Sequence, residues 1–338
     1  GQLRVRGDAQ HTPGPRPFTA LRLATDRLDW AKASYDVGNP NVAPPVAPQM
    51  FRDTPLAWWM VSGLAGRKGT VDATFGTLVL RNGVQMKNLR MKAVYDGDRF
   101  DITRWDSEML GGTASGRIVL DGGRKAVAFD LNGDKLLLER WFRERGTAVK
   151  FSGGPMKVSA KVRTSGESMR QLVAAIDGPI EIRMGPGTLL NPRAGAAEAK
   201  LTGAGSDEQV RDVKFECVGY ALAFRGGKAQ GDDIIGARTD QSHLLTSGWV
   251  DMDAQAIDLR GRLKGTSGVH LAAILGDVKI TGPIRTPKMQ LDTAAAPKSI
   301  ARGVAAIATL GLSAVATAAA DAREARTNDP CEAVFRKR

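Results

Sequence analysis

The sequence predicts a mostly β protein with short α-helices, built as one elongated, curved antiparallel sheet of repeated units. Three observations predict this class. Long stretches alternate apolar and polar residues with a period of two, turn dipeptides such as Asp96-Gly97 and Asp121-Gly122 separate them, and part of the pattern recurs. The 338 residues, 42% of them hydrophobic, suffice for one long sheet-built domain or for about two ordinary domains.

The clearest strand signal lies at residues 156–163. Its apolar positions are Met156, Val158, Ala160 and Val162, and a lysine, serine or arginine occupies each position between them. A second run has Ile180, Ile182 and Met184 at the same spacing. Weaker alternation occurs at residues 100–102, 127–131, 213–217 and 257–263. Alternation of this kind predicts strands with one dry face and one wet face.

Two segments resemble each other. Residues 116–121, followed by 128–133, are similar to residues 248–253, followed by 256–261. Counted from Asp to Asp, the hairpin loop of the first copy is nine residues and that of the second is five. A weaker third unit joins residues 156–166 to a helix. Units that cannot each bury a core alone predict stacking into an elongated sheet.

Four short helices are predicted between the strands. They begin near Asp53, near Asp134, at residue 167 and at residue 267; the last two span 167–177 and 267–276, and Gly146 and Gly178 provide C-caps for the second and third. Residues 40–48, with four prolines, are a loop or linker. The predicted units are 1–52 (strands and linker), 53–146, 147–206 and 207–297 (β-units with helices), and 298–338 (an Ala-rich helix and a basic tail).

Residues 303–320 are uncharged and barely reach the length of a membrane span. Only five of them are strongly apolar, and Ala, Gly, Ser and Thr fill the rest. This composition favours a helix in a groove or at a membrane surface over a span. The chain begins with Gly1, so we expect it to be part of a longer product.

The net charge of +12 and the pI near 9.9 favour an anionic partner such as nucleic acid or a lipid surface. Most basic residues alternate with apolar ones, which is typical of the solvated face of a sheet and disfavours nucleic acid. The two cysteines, Cys217 and Cys331, lack metal-site spacing. They are compatible either with one disulfide or with two unrelated buried thiols.

No catalytic motif is found. No serine has the glycine spacing of a nucleophile elbow, Gly226-Gly227-Lys228 lacks the pattern of a phosphate loop, and the three histidines have no metal-ligand spacing. We therefore expect no enzyme activity, no metal and no cofactor.

Two interpretations of the dry sheet face remain open from the pattern alone. The face is either an ordinary core closed by helices, or an open groove in which acyl chains leave water. The candidate groove residues, chosen as the cleanest apolar faces, are Met156, Val158, Val162, Ile180, Ile182 and Met184. Trp58 and Trp59 are expected to pack in the core.

Four motifs carry a resemblance to a known family. They are residues 165–187, 246–259, 280–288 and 328–331, and the similarity covers about residues 20–338. These segments resemble the C-terminal region of AsmA-family envelope proteins, which are related to bridge-like lipid transport proteins.

The resemblance implies an open groove, a periplasmic location, and anchorage in the inner membrane of a Gram-negative bacterium by an N-terminal segment missing here. It implies binding or conduction of phospholipid or another anionic envelope lipid, support of outer-membrane assembly, and a partner at the outer membrane. Because the periplasm is oxidising, it also favours a Cys217–Cys331 disulfide. The alternative function is a scaffold that regulates insertion of outer-membrane proteins without carrying lipid.

Overall fold

In the computed structural model of the chain, the described residues include seventeen strands that form one long, curved, unclosed sheet, which confirms the predicted fold class. The structure describes residues 5–15, 17–29, 51, 53, 55–64, 66–80, 83–144, 151–190, 212–239, 242–265, 274–284, 286–292 and 329–335. The strands are β1 Val5–Thr12, β2 Phe18–Asp29, β3 Lys68–Val79, β4 Gln85–Asp96, β5 Arg99–Met109, β6 Gly112–Asp121, β7 Ala126–Leu137, β8 Phe151–Gly153, β9 Pro155–Ser165, β10 Gly178–Met184, β11 Gly187–Leu189, β12 Val213–Arg225, β13 Lys228–Thr239, β14 Ser242–Asp251, β15 Ala256–Gly265, β16 Ile274–Pro283 and β17 Lys288–Asp292.

Most neighbouring strands are consecutive in sequence and antiparallel. The ladder runs from β3 to β7, then through β9, β10 and β12, and on to β17, while β8 and β11 form a short pair beside β12. The β2–β3 ladder is parallel. A parallel pair needs a long connection, and residues 30–67 separate β2 from β3 in the sequence.

The hairpin tips show how local sequence sets the turns. Gly97, with φ of +59°, lies in the two-residue loop between β4 and β5, as the Asp-Gly signal predicts. The loops that join β6 to β7 and β14 to β15 are equal in length, because Asp121 pairs with Ala126 and Asp251 with Ala256. The predicted difference in hairpin-loop length, nine residues in the first copy against five in the second, is therefore wrong.

The physical reason is that one aspartate closes each of these loops. Asp121 Oδ1 accepts a hydrogen bond from the Arg124 backbone N–H at 2.9 Å, and Asp251 Oδ1 accepts one from Ala254 N–H at 2.9 Å. An aspartate that bonds the backbone two or three residues ahead defines the turn, so the position of the next aspartate along the strand is irrelevant.

The described helices are shorter than the sequence predicted. They are α1 Trp59–Ser62, α2 Leu138–Glu144, α3 Met169–Ala174 and α4 Pro330–Ala333. Helix α2 begins four residues after Asp134 because β7 continues to Leu137. Ser168 caps α3, accepting from the Gln171 N–H at 3.2 Å. Met169, the first residue of this helix, is exposed.

The helix predicted at residues 267–276 is wrong at its C-terminal end. Residues 274–276 begin β16, in which Ile274 pairs with Lys264 and Gly276 with Leu263. The ladder with β15 supplies the backbone hydrogen bonds that a helix would have made. Residues 267–273 lie outside the described residues, as do residues 40–48, Gly146 and the segments 303–320 and 336–338. Among the helices that the structure describes, none has the length and apolarity needed to cross a bilayer.

Candidate functional site: the inner face of the sheet

One face of the sheet, here called the inner face, is uncharged along two rows of paired residues. The first row crosses ten strands from β5 to β16 and comprises Ser107, Ala114, Gly133, Val158, Ile182, Tyr220, Ile235, Thr246, Gly261 and Val278. The second crosses ten strands from β1 to β12 and comprises Gly7, Leu23, Ala73, Met91, Trp105, Gly116, Leu131, Ala160, Ile180 and Leu222. Together the rows join β1 to β16.

The opposite, outer face carries the charges. Lys157 pairs with Arg183, and Arg262 pairs with Leu245 and Asp277, so positions one residue from the apolar rows are solvated. This division follows from strand geometry, because successive side chains point to opposite faces. The inner face is therefore uncharged along these two rows, and the outer face is charged.

The structure brings all six predicted groove residues to the inner face. Val158 pairs with Ile182 and Met156 with Met184, Ile180 pairs with Ala160, and Val162 pairs with Phe129. Five of them are buried, with exposed fractions of 0–6% for Met156, Val158, Val162, Ile182 and Met184, and Ile180 is half-buried. Neighbouring side chains therefore cover one another at these positions.

Burial divides the inner face into two regions. From β9 to β16 most apolar side chains of the inner face belong to one hydrophobic cluster that includes Tyr220, Leu222, Ile235 and Ile280, each at most 1% exposed. From β4 to β7 a small buried cluster around Trp105 is bordered by side chains that are only half-buried. These residues, here called the half-buried region, are Met91, Ile102, Ile118, Phe129 and Leu131. A ligand would find accessible apolar surface in the half-buried region.

Short elements cover both ends of the strands. At one end Leu138 of α2 is buried, and Phe142 stacks on Phe151 of β8 with ring centroids 6.1 Å apart. At the other end Leu172 of α3 is buried, and Trp58 Nε1–H donates to the Gly166 carbonyl at 3.0 Å. Trp58 is thus anchored to the segment before α3, and the Trp59 side chain lies outside the described residues.

A disulfide between Cys217 and Cys331 attaches α4 to the outer face of β12 and β13. Gly236 allows the close approach, because a Cβ atom there would lie 2.2 Å from the Pro330 carbonyl oxygen. Arg183 adds an ion pair with Glu332 at 3.3 Å. The predicted pairing of the two cysteines is confirmed.

The same two cysteines lie close to Asp329, in an arrangement that resembles a metal site. Their sulfur atoms are bonded to each other, and a thiolate is the form of cysteine that binds metals. Asp329 instead caps α4, since its Oδ1 accepts from the Cys331 N–H at 2.8 Å. The group is a structural attachment.

Among the described residues, Asp101, Asp251 and Tyr220 have pKa values that are shifted by clear causes. The Arg117 guanidinium, hydrogen-bonded to Asp101, holds the pKa of that carboxyl below its usual range. The Ala254 N–H and then Lys228 lower the pKa of Asp251 at the tip of the β14–β15 hairpin. Burial in the inner cluster raises the pKa of Tyr220, so this phenol is neutral over the physiological range. The two carboxyls stabilise a strand pair and a turn.

The outer face contains a shallow cleft of about 960 Å³ beneath α4. Its lining includes Arg260, Arg262 and Lys279, but Arg260 lies 3.7 Å from Asp258 and Arg262 lies 3.5 Å from Asp277. Acidic partners therefore offset much of the positive charge in this cleft.

Trp105 and Ser107 are two inner-face residues that the sequence analysis missed. The signal was a break in the alternation, since Ile102 and Trp105 are three residues apart yet lie on one face. Such an interval marks a β-bulge, which a search for strict period two does not detect.

Comparison with known proteins gives no relative for this chain: no protein-family model, no curated protein and no solved structure matches it. The function must therefore be argued from the sheet itself.

Proposed function

We propose that this chain is a non-enzymatic cell-envelope protein that binds phospholipid acyl chains along its inner face. It would conduct them between the inner and outer membranes and so support outer-membrane assembly, as the resemblance to AsmA-family proteins implies. The observation that carries the proposal is the pair of uncharged rows, which together extend from β1 to β16.

The dimensions of the sheet suit this role. Strands lie about 4.8 Å apart, so a row of ten strands is roughly 40 Å long, more than the hydrocarbon core of a bilayer at about 30 Å. Each methylene group that leaves water gains about 0.8 kcal/mol. An acyl chain lying along the half-buried region would gain this energy, while its head group stays at the solvated rim.

The disulfide supports an envelope location. Structural disulfides persist in oxidising compartments such as the periplasm and are rare in the cytosol. Cys217 and Cys331 are bonded, and among the described residues there is no free cysteine.

Substitutions in the half-buried region test the proposal. Val158 and Ile182 are unsuitable, because they are 5% and 2% exposed and a buried carboxylate there would unfold the chain. Phe129→Glu and Ile118→Glu place a charge on accessible inner surface. Ala128→Glu is the matched control, since Ala128 faces outward and pairs with Arg163.

The measurement is mass spectrometry of the lipids that remain bound to each purified, folded variant. We expect Phe129→Glu and Ile118→Glu to lose most of the phospholipid that the unmodified chain carries, and Ala128→Glu to keep it. Circular dichroism establishes that each variant is folded. Unchanged lipid content in the two folded inner-face variants, or no lipid on the unmodified chain, would refute lipid binding.

The alternative is an interaction scaffold for the insertion of outer-membrane proteins. Strand β1 favours it, because all eight of its residues are exposed and, among the described strands, it pairs with β2 alone. An exposed edge of this kind can add a strand from a partner. Capture of barrel precursors by a lipid-free chain would support the scaffold and count against lipid carriage.

A further inference from the structure

The bulge in β5 turns two polar side chains toward the apolar inner face. Ile102 pairs with Ile118 and Trp105 with Gly116, so two residues of β5, at 103 and 104, oppose one residue of β6. Because of this extra residue, odd-numbered positions after the bulge face inward, whereas even-numbered positions such as Ile102 face inward before it. Trp105 and Ser107 therefore point inward, and Arg104 and Asp106 point outward, where they form an ion pair.

Both inward polar atoms lack a hydrogen-bond partner. Within the part of the chain that the structure describes, Trp105 Nε1 and Ser107 Oγ are buried and unpaired. Trp105 is 8% exposed and Ser107 is 6% exposed. Buried donors in proteins are almost always satisfied, so two on one strand, two residues apart, indicate a missing acceptor.

The side chains around Trp105 and Ser107 indicate that the acceptor is uncharged. The neighbours of the two residues in the inner rows are Met91, Gly116 and Ala114, which carry no charge. Bringing an ionised carboxylate or phosphate here would bury an anion without a counter-charge, which is very costly. A neutral carbonyl oxygen can accept both hydrogen bonds without that penalty.

The covering side chains can make way for a ligand. Trp105 belongs to a small cluster with Leu89 and Ala114, and three half-buried methionines, Met86, Met91 and Met109, pack against it. Methionine is unbranched and changes rotamer at little cost, which is why methionine-rich surfaces accept varied apolar ligands. Opposite Trp105, Gly116 leaves the indole edge free of a side chain: a Cβ atom there would lie 3.2 Å from Nε1.

We propose that Trp105 Nε1–H and Ser107 Oγ–H together bind the ester carbonyl oxygen of a diacyl phospholipid whose acyl chain lies on the inner face. The inference deepens the proposed lipid binding and rests on it. The two donors would hold the glycerol end of the acyl chain at β5, and so set how far along the rows the hydrocarbon extends.

The test compares two phosphatidylglycerols that differ only in the linkage of their chains. The dioleoyl diester carries the carbonyl groups, and the dioleyl diether lacks them. Equilibrium binding of each lipid, presented in mixed micelles, is measured on the full chain. Since one hydrogen bond contributes about 0.5–1.5 kcal/mol, we expect the diester to bind between about two-fold and about thirteen-fold more tightly for each bond.

Two pairs of variants separate the site from the fold. Trp105→Phe and Ser107→Ala should each reduce the ratio of the diester affinity to the diether affinity toward one. The affinity for the diether should not change. The controls are Trp249→Phe and Ser115→Ala, which change the same residue types on the outer face and should keep the preference. The indole N–H signal of Trp105 in a nitrogen-15 correlation spectrum should shift with the diester and not with the diether.

The possible outcomes distinguish failure of the carbonyl site from failure of the proposed lipid binding. Equal binding of diester and diether to the unmodified chain, or a preference that persists in both inner-face variants, would overturn the carbonyl site and leave lipid binding intact. Binding of neither lipid would overturn the proposed function and this inference with it.

Discussion

Removal of the Cys217–Cys331 disulfide should lower the stability of the whole chain. The two residues are 114 positions apart in sequence, so the bond closes a long loop in the unfolded chain. The loop-entropy relation gives about 16 cal/mol/K for a loop of this length, which is about 4.8 kcal/mol at 25 °C. Domains are typically stable by 5–15 kcal/mol, so the loss is a large share of the total.

The assay is urea unfolding of the double variant Cys217→Ala and Cys331→Ala, followed by tryptophan fluorescence. With an m-value of about 3 kcal/mol/M, the midpoint should fall by about 1.6 M. Reductant should lower the midpoint of the unmodified chain similarly and leave the double variant unchanged. A loss below about 1 kcal/mol, with amide exchange accelerated in α4 alone, would refute the reasoning, because the bond would then hold only α4.

Two further predictions concern single contacts. Gly236→Ala should lower the free energy of unfolding by about 1–3 kcal/mol, since its Cβ would lie 2.2 Å from the Pro330 carbonyl oxygen and displace α4. Gly231→Ala, whose Cβ would meet only the Ile234 side chain, at 3.2 Å, should change the urea midpoint little, and equal losses would contradict the close approach. Arg117→Ala should destabilise the chain slightly at pH 7, because it removes the ion pair with Asp101. Because Arg117 lowers the pKa of Asp101 in the folded chain, this difference should be present above the ordinary carboxyl pKa of about 3.9 and shrink as the pH falls below it. Urea midpoints at pH 7 and pH 3 measure it, and a difference independent of pH would contradict the pairing.

Much of the fold follows from short-range patterns. The alternation at residues 156–163 and 180–184 correctly predicted two strands with one dry face each, because a strand's side-chain directions depend on the parity of position alone. The Asp96-Gly97 signal correctly marked a hairpin, since glycine at positive φ suits such a turn. These features need no knowledge of distant residues.

Errors arose where a distant strand competes with a local preference. The local pattern predicted a helix that ends at residue 276, yet residues 274–276 pair with β15 and belong to β16. Helix α2 is shortened in the same way, because β7 keeps its ladder to Leu137. The inner-face position of Trp105 was missed because the bulge is defined by the partner strands β4 and β6.

The amino-acid sequence by itself determined which face of each regularly alternating strand is apolar, and it marked the Asp96-Gly97 turn. Only the tertiary structure decided that the dry residues line up in rows across the sheet, that β2 and β3 pair in parallel, and that the face is packed near Ile182 but half-buried near Phe129. The physical reason is range: side-chain alternation is a property of each strand, whereas register, curvature and depth of burial depend on contacts between residues far apart in the chain.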